Sequence, residues 1–395
     1  MIQTSQRILS LIAFLFLISS CKDTAPDPLA SRLSSSELVN TYTRDEFKTF
    51  LESSAGGSAA QVSLFVQYGI EQYKLTYKTI DIDGTEITAS GVVVLPAGIS
   101  TPLAMASLQH GTLFNESDAP SYLKANSEAT IGSFFASTGM AIAIPDYIGY
   151  GASKDRLHPY EHREGLAIPV VDFIKATKEF LDQKNIEWNK KLLLAGYSEG
   201  GYATMAAYQY LEQNLKSTFP VTVCIPGAGA YNKSESFRRL INETGSTNSG
   251  NNRSYIWVLQ TYLRANNINQ PWSYFFKEPY ASQIEEKGYL AEINVSLNET
   301  LQPDFVDAFN KGELPELEAA ISENDVFDWK PSSKLRMYHG DADDYVPYFN
   351  SQTTLEAMKA NGAPDVELIT VKGGTHGSTI STYFTGVLEL FISNK

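Results

Sequence analysis

One serine in the chain stands in a pattern that is typical of covalent catalysis. Ser198 is the centre of the segment Gly196–Gly200 (Gly-Tyr-Ser-Glu-Gly), between a predicted buried strand over 191–195 and a predicted helix rich in small residues. A strand, a Gly-x-Ser-x-Gly turn and a helix form the nucleophile elbow, which lifts the serine hydroxyl out of the sheet. Gly196 and Gly200 are required because side chains there would collide with neighbouring backbone. Ser198 is therefore predicted to be a nucleophile.

A serine nucleophile needs a base, and the chain has five histidines. With this elbow, the acid and then the base follow the serine along the chain, so only His339 and His376 qualify. His376 follows the apolar run 366–371, and the loop after a late strand lies at the sheet edge that carries the serine. His376 is the predicted base. His339 is interpreted as a structural histidine that hydrogen-bonds its loop.

The acid is expected in the segment 339–347, which contains Asp341, Asp343 and Asp344. A calcium loop is excluded, because the required Gly and distal Glu are missing. The acid would orient the His376 ring and stabilise the imidazolium that forms during attack. Physical argument alone leaves the choice among the three aspartates open.

The chain resembles the α/β-hydrolases in three segments. Residues 339–347 match the His-Gly-x-x-Asp-x-x-Val-Pro segment of that superfamily, and this resemblance implies that Asp343 is the acid. Residues 198–201 resemble the Ser-x-Gly-Gly elbow of secretory lipases and related bacterial esterases, and 145–153 resemble their Pro-Asp-Tyr-x-Gly-x-Gly-x-Ser loop. The resemblance covers about 70–230 and 331–395. It implies the fold and hydrolase chemistry, but says little about the substrate.

An oxyanion hole is expected beside the elbow, because attack by serine places negative charge on the carbonyl oxygen. One backbone donor should be the N–H of Glu199, the residue after the nucleophile. The other should come from the turn His110-Gly111-Thr112, which follows a predicted strand over 103–108. Resemblance to the His-Gly-x turns of the superfamily assigns it to Thr112. Gly111 is the close alternative, and an ordinary strand-ending turn is the simpler interpretation.

The segment His158–His162 fits the His-x-x-Glu-His pattern of some zinc peptidases. That chemistry needs both histidines on one helix face. Pro159 can begin a helix but cannot lie inside one, which leaves His158 outside the first turn. No metal site and no cofactor are predicted.

Composition limits the kinds of partner. The 395 residues carry a formal net charge of −14, and no run of Lys or Arg is present, so nucleic acid is not an expected partner. The chain has two cysteines. Cys224 lies in a predicted buried strand and is expected to be a structural thiol without a disulfide.

The N-terminus has the features of a targeting segment. Arg7 precedes an apolar run over 8–18, which is too short to span a bilayer and is typical of a signal peptide. The residues Ile-Ser-Ser-Cys at 18–21 resemble the lipobox of bacterial lipoproteins, which implies cleavage before Cys21 and a lipid on that cysteine. Lys22 does not resemble an inner-membrane retention signal, so the prediction is an exported lipoprotein of the outer membrane, with an ordinary signal peptide as the alternative.

The remaining pattern predicts an α/β-hydrolase fold: a mostly parallel, eight-stranded sheet with helices on both faces and a helical cap insertion. A hairpin over 72–95 supplies two strands, and the others lie near 103–108, 140–144, 191–195, 220–225, 335–339 and 366–371. The predicted divisions are a lipoprotein signal peptide over 1–20, a flexible tether over 21–40, the hydrolase core over 41–230 and 331–395, and a cap over 231–330. Some cap aromatics between Trp257 and Tyr280, with Trp272 and Tyr274 as candidates, are expected to face the pocket.

These features predict a cofactor-free serine hydrolase that cleaves carboxylic esters through an acyl-enzyme, on a small-molecule or lipid substrate. A serine aminopeptidase or dipeptidyl peptidase is the alternative, for which Glu285 or Glu286 in the cap could capture a substrate amine. A surface binding protein with a vestigial site is a third hypothesis.

Overall fold

The computed structural model describes residues 31–54, 63–125 and 127–395. The predicted signal peptide, Cys21 and the first part of the predicted tether lie outside these ranges. No helix among the described residues is long and apolar enough to cross a membrane.

The centre of the fold is a nine-stranded sheet with the strand order β1-β2-β3-β5-β4-β6-β7-β8-β9. The first three strands are antiparallel, β3 also pairs antiparallel with β5, and the pairs from β5 through β9 are parallel. The strands are β1 (Leu33–Tyr42), β2 (Ile70–Ile80), β3 (Glu86–Pro96), β4 (Leu103–Gln109), β5 (Ala141–Pro145), β6 (Trp188–Tyr197), β7 (Val221–Gly227), β8 (Lys334–Gly340) and β9 (Val366–Val371).

The prediction of eight strands is wrong by one, because β1 forms an additional edge strand. The predicted tether over 21–40 is wrong from residue 33 onward for the same reason. Strand β1 is polar and largely exposed, so it lacks the apolar alternation that identifies a strand in sequence. It is anchored by charge: Arg32 forms a buried ion pair with Asp172, and the Glu179 carboxylate accepts the N–H groups of Arg32 and Leu33.

Helices cover both faces of the sheet. The described helices of four residues or more are α1 (Arg44–Ser54), α2 (Glu128–Ala136), α3 (Arg163–Gln183), α4 (Glu199–Asn214), α5 (Lys233–Asn242), α6 (Ser249–Ala265), α7 (Trp272–Phe275), α8 (Tyr280–Lys287), α9 (Leu297–Thr300), α10 (Pro303–Asn310), α11 (Pro315–Ser322), α12 (Phe349–Ala360) and α13 (His376–Asn394).

Each face of the sheet has its own hydrophobic core. Alternate residues of β5 point to opposite faces, as the strand period of two requires: Ala141 and Ala143 join one core, and Ile142 and Ile144 join the other. The first core contains α3 and α4, and the second contains α1, α2 and α13. Phe173 and Leu181 of α3 lie in the first core and are fully buried.

Helices α5 to α11 form an insertion between β7 and β8, where sequence analysis predicted the cap. The insertion has a third hydrophobic core, which includes Phe275, Ile284 and Phe305. Because this core is assembled from the insertion's own side chains, it can hold these helices together over the strand ends.

Candidate active site

Ser198 lies at the turn between β6 and α4, in a backbone conformation that few residues adopt. Its φ is 62° and its ψ is −123°, outside the regions that non-glycine residues prefer. A Cβ on Gly196 would overlap the Gly200 carbonyl oxygen, and a Cβ on Gly200 would overlap the Gln109 carbonyl oxygen. The two glycines therefore allow β6, α4 and the end of β4 to approach closely, and this packing holds the strained serine in place.

The structure brings Ser198, His376 and Asp343 together from three strand ends. His376 Nε2 lies 2.9 Å from Ser198 Oγ, and His376 Nδ1 lies 2.8 Å from Asp343 Oδ2. Ser198 follows β6, Asp343 follows β8, and His376 begins α13 after β9. With Nδ1 protonated, the ring donates to Asp343 and Nε2 accepts the Ser198 hydroxyl. This is the geometry of a nucleophile, a base and an orienting acid.

The neighbouring aspartates have different contacts. Asp341 Oδ1 accepts the Gly373 N–H, and Asp344 Oδ1 accepts the His376 N–H at 3.2 Å. Both carboxylates therefore hold the backbone of the loop that carries His376. Of the three aspartates, only Asp343 has a carboxylate oxygen within hydrogen-bond distance of the imidazole ring of His376.

Asp343 is buried and lies in a set of hydrogen bonds that favour its charged form. Burial raises the pKa of the Asp343 carboxyl, but hydrogen bonds from His339 and His376 outweigh it and hold this pKa well below its ordinary value. The backbone N–H groups of Tyr345 and Val346 donate to Oδ1 at 2.9 and 2.8 Å. His339 does not act on Ser198: its ring is buried, and its other nitrogen bonds Ser351 Oγ at 2.7 Å.

The predicted oxyanion segment lies beside the elbow. The Gln109 and His110 carbonyl oxygens approach Gly200 closely, which places the turn that follows β4 next to the N-terminus of α4. Glu199 is the first residue of α4, where a backbone N–H has no partner within the helix. In the described part of the chain, neither the Glu199 nor the Thr112 N–H donates a backbone hydrogen bond. Neither N–H group has a backbone acceptor in the described ranges, as an oxyanion donor requires.

Two tyrosines that the sequence patterns did not identify contact His376. The Tyr197 hydroxyl donates to the His376 carbonyl oxygen at 2.8 Å, and the two ring centroids are 5.2 Å apart. The Tyr345 ring packs edge-on against the imidazole at 5.1 Å. Tyr197 lies inside the elbow motif and Tyr345 inside the segment 339–347. Their positions next to the nucleophile and the acid are the signal by which both could have been predicted to contact His376.

The residues of the zinc-like pattern take three separate protein partners. His158 Nε2 lies 2.6 Å from the Glu199 carboxylate. Glu161 pairs with Lys233, and His162 Nδ1 accepts the Gly165 N–H as the N-cap of α3. No group of three or more His, Cys, Asp or Glu side chains in the described ranges is arranged to hold a metal.

A cleft opens at Ser198 between the core and the insertion. Its empty volume is ≈ 1140 Å³, including the mouth that is open to solvent. Tyr255, Val258 and Tyr262 of α6 line it, together with Phe237 and Leu240 of α5. Trp272 and Tyr274 are not among its lining residues and instead pack against the insertion's own core. The expectation that these two residues face the pocket is therefore wrong, because the side chains of α7 pack against the hydrophobic core of the insertion.

The comparisons with known proteins agree with this architecture. The model of the secretory lipase family matches residues 121–214, which include the elbow. No curated protein matches the sequence. A putative hydrolase from Legionella pneumophila superposes with a TM-score of 0.78 at 22% identity, over 92% of this chain and 98% of that chain.

Two further solved structures are similar. The rice cell wall degrading esterase LipA from Xanthomonas oryzae has a TM-score of 0.73 at 21% identity, over 91% of this chain and 96% of that chain. Candida antarctica lipase A has a TM-score of 0.62 at 14% identity, over 91% of this chain and 86% of that chain. The chain has the α/β-hydrolase fold, and it resembles the secretory lipases in the segment that contains Ser198.

Proposed function

We propose that this protein is a serine hydrolase that cleaves carboxylic esters, with Ser198 as nucleophile, His376 as base and Asp343 as the acid that orients it. The observation that carries the proposal is the continuous hydrogen-bond chain from Asp343 through His376 to Ser198. The match to the secretory lipase family and the fold shared with an esterase and a lipase support an ester as substrate.

The proposed reaction proceeds in two halves. His376 Nε2 takes the hydroxyl proton as Ser198 Oγ bonds the ester carbonyl carbon, and the N–H groups of Glu199 and Thr112 stabilise the resulting oxyanion. The ester C–O bond then breaks, and His376 returns the proton to the leaving alcohol. His376 then takes a proton from a water molecule as the water oxygen bonds the acyl carbon. The bond between this carbon and Ser198 Oγ breaks, His376 returns the proton to Ser198 Oγ, and the acid is released. No step requires a cofactor.

Hydrolysis of p-nitrophenyl esters from acetate to palmitate tests the proposal. Wild type should release p-nitrophenol and bind a fluorophosphonate probe covalently. Ser198→Ala should lower turnover on the order of 10⁶-fold, as in another triad enzyme, and should abolish labelling. Wild type that neither hydrolyses any ester nor reacts with the probe would overturn the proposal.

The peptidase alternative has less support. Glu285 and Glu286, which could have captured a substrate amine, are exposed on α8 and do not line the cleft at Ser198. Aminoacyl p-nitroanilides should therefore be poorer substrates than esters of similar size. Faster anilide cleavage would favour the peptidase.

We further propose that the protein is exported and anchored to a bacterial outer membrane through a lipid on Cys21. Support comes from the sequence of residues 1–21 alone, with its apolar core and lipobox-like end. Metabolic labelling with radioactive palmitate should mark the wild type and not Cys21→Ser. Labelling of both proteins, or of neither, would contradict the anchor.

A further inference from the structure

The cleft at Ser198 contains a buried ion pair that the proposed chemistry does not use. Lys233, the first residue of α5, donates to Glu161 Oε2, and the two side chains are 4% and 9% exposed. Lys233 Nζ also lies 4.3 Å above the centroid of the Tyr202 ring. Both charged residues line the same cleft as Ser198.

Burying two charges in this position is costly. Burial raises the pKa of Glu161 and lowers the pKa of Lys233, and their mutual attraction offsets part of both shifts. A buried ion pair is a weak source of stability compared with apolar side chains of similar size. Leu240, Val258, Ile321 and Phe349 line the cleft nearby, so the chain has apolar side chains elsewhere in this wall. The pair is better explained by a ligand than by stability.

The pair has hydrogen-bonding capacity left over. An ammonium group has three N–H donors, and Lys233 gives one of them to Glu161. Glu161 Oε1 accepts no hydrogen bond within the described ranges, and this oxygen is partly accessible rather than fully buried. A donor and an acceptor are therefore both available on the cleft side of this pair.

The chemistry of the pair selects a neutral ligand group. A substrate carboxylate would be attracted by Lys233 but repelled by Glu161, and a substrate ammonium would meet the opposite conflict. A hydroxyl group accepts one hydrogen bond and donates another, so it satisfies both free positions without adding a charge to the cleft. Plain alkyl groups would satisfy neither.

We infer that Glu161 and Lys233 form a specificity-determining subsite for a hydroxyl group on the ester substrate. Lys233 donates to the hydroxyl oxygen, and Glu161 Oε1 accepts the hydroxyl hydrogen. The inferred substrate class is an ester whose acyl or alcohol portion carries a hydroxyl, rather than a plain alkyl ester. This inference rests on the proposed function, since it concerns the substrate of the same site.

Matched pairs of esters test the inference. In each pair a hydroxyl replaces a methyl group, as in 2-hydroxyethyl butyrate against propyl butyrate, and ethyl 3-hydroxybutyrate against ethyl 3-methylbutyrate. Further pairs place the hydroxyl group on the second, third, fourth or fifth atom from the ester group, in either the acyl or the alcohol portion. Sites that hydrogen-bond a substrate hydroxyl reject analogues that lack it. From the usual strength of hydrogen bonds to charged groups, kcat/KM should favour one hydroxylated member by about 10- to 100-fold.

Variants identify the residues responsible. In the double variant Glu161→Gln/Lys233→Met, which keeps the approximate volumes without the charges, the kcat/KM ratio of the preferred pair should fall to near 1. Glu161→Gln alone provides a milder test if the double variant does not melt cooperatively, and it should lower the ratio several-fold. Lys311→Met is the matched control, because it breaks an exposed cap ion pair with Asp307 and should keep the wild-type ratio.

The outcomes separate this inference from the proposed function. Wild type that hydrolyses the alkyl esters well, with a ratio near 1 in every pair, would overturn the hydroxyl subsite and leave the esterase intact. An unchanged hydroxyl preference in folded variants would overturn the assignment to Glu161 and Lys233. Loss of all ester hydrolysis and of fluorophosphonate labelling in wild type would overturn the proposed function itself.

Discussion

The Asp343 carboxylate lies 2.8 Å from His376 Nδ1 and is fully enclosed by protein. Its other oxygen is held by two backbone N–H groups, so the carboxylate cannot rotate away from the ring. The pKa of this carboxyl is held below its ordinary value. A fixed, ionised carboxylate at Nδ1 selects the tautomer in which Nε2 is free to accept a proton from Ser198.

Replacing Asp343 by Asn should therefore lower kcat by about 10⁴-fold, the loss seen when a triad acid becomes an amide and the wrong tautomer is held. Asp341→Asn is the matched control from the same loop, because its carboxylate contacts only the Gly373 backbone among the described residues. Steady-state hydrolysis of p-nitrophenyl butyrate by both variants measures the difference. A crippled Asp341→Asn with an active Asp343→Asn would reverse the assignment.

A second prediction concerns the residue that follows the nucleophile. Glu199 Oε1 lies 2.6 Å from His158 Nε2, and this contact ties the start of α4 to the loop before α3. Glu199→Ala should leave His158 without this partner and loosen the backbone N–H that is proposed to stabilise the oxyanion. Loss of one oxyanion donor costs about 10²- to 10³-fold in kcat, so a loosened donor should cost less, about 10-fold.

Glu199→Gln is the matched variant, since its amide group can still hydrogen-bond His158 Nε2, through either its NH2 group or its oxygen. It should lose less kcat than Glu199→Ala, with KM affected little in either protein. Measurement of kcat and KM separately checks this split. A change confined to KM in both variants would show that Glu199 acts on substrate binding rather than on the oxyanion donor.

Local patterns predicted much of the core because several strands and one turn have distinctive residue types. The apolar runs of β4 to β8 and the glycines around Ser198 correspond to buried strands and to close backbone contacts, which only certain residues allow. Strand β1 was missed because it is held by backbone pairing with β2 and, at its start, by contacts with Glu179 and Asp172, which are far away in sequence. Neither contact leaves a periodic signal in the strand itself.

The candidate site was only partly accessible from sequence for a related reason. Ser198 and His376 stand out because few other residues fit their roles, and Asp343 was assigned by resemblance to a known segment. The Glu161–Lys233 pair joins residues 72 positions apart, and no motif connects them. Among the cap aromatics between Trp257 and Tyr280, Tyr262 lines the cleft as expected, but Trp272 and Tyr274 do not. The residue type alone does not tell which side of a helix faces the cleft and which faces the insertion's core.

A third prediction concerns the shape of the cleft. Val258 lines it, so Val258→Phe should narrow it and shift the p-nitrophenyl ester profile toward shorter acyl chains. Trp272→Ala is the matched change in the insertion core. Because Trp272 is only partly buried, this change should lower the free energy of unfolding by about 3 kcal/mol, the low end of the range for Trp→Ala, and leave the profile unchanged. Ester profiles together with urea unfolding curves measure both effects. A profile that changes in Trp272→Ala but not in Val258→Phe would contradict this description of the cleft.

A fourth prediction concerns stability at acidic pH. His162 is the N-cap of α3, and its Nδ1 must be unprotonated to accept the Gly165 N–H. Burial lowers the pKa of His162 to about 4, with Arg163 and Arg264 contributing in the same direction. The unfolded chain takes up this proton near pH 6.5, so between pH 6.5 and 4 the unfolded state binds more protons than the folded state. The contribution of His162 to the free energy of unfolding therefore falls as the pH decreases through this window.

Asn is among the best N-cap residues and does not titrate, so His162→Asn keeps an acceptor for the Gly165 N–H and removes the proton linkage. Urea unfolding of both proteins between pH 7.5 and 4 measures the effect. As the pH falls from 7.5 to 4, the free energy of unfolding of the variant should rise relative to that of the wild type by on the order of 2 kcal/mol. Buried carboxylic acids such as Asp146 and Asp325, whose pKa values burial raises, titrate in both proteins and cancel in the difference. Parallel pH profiles would show that His162 takes up its proton equally in the folded and unfolded chains.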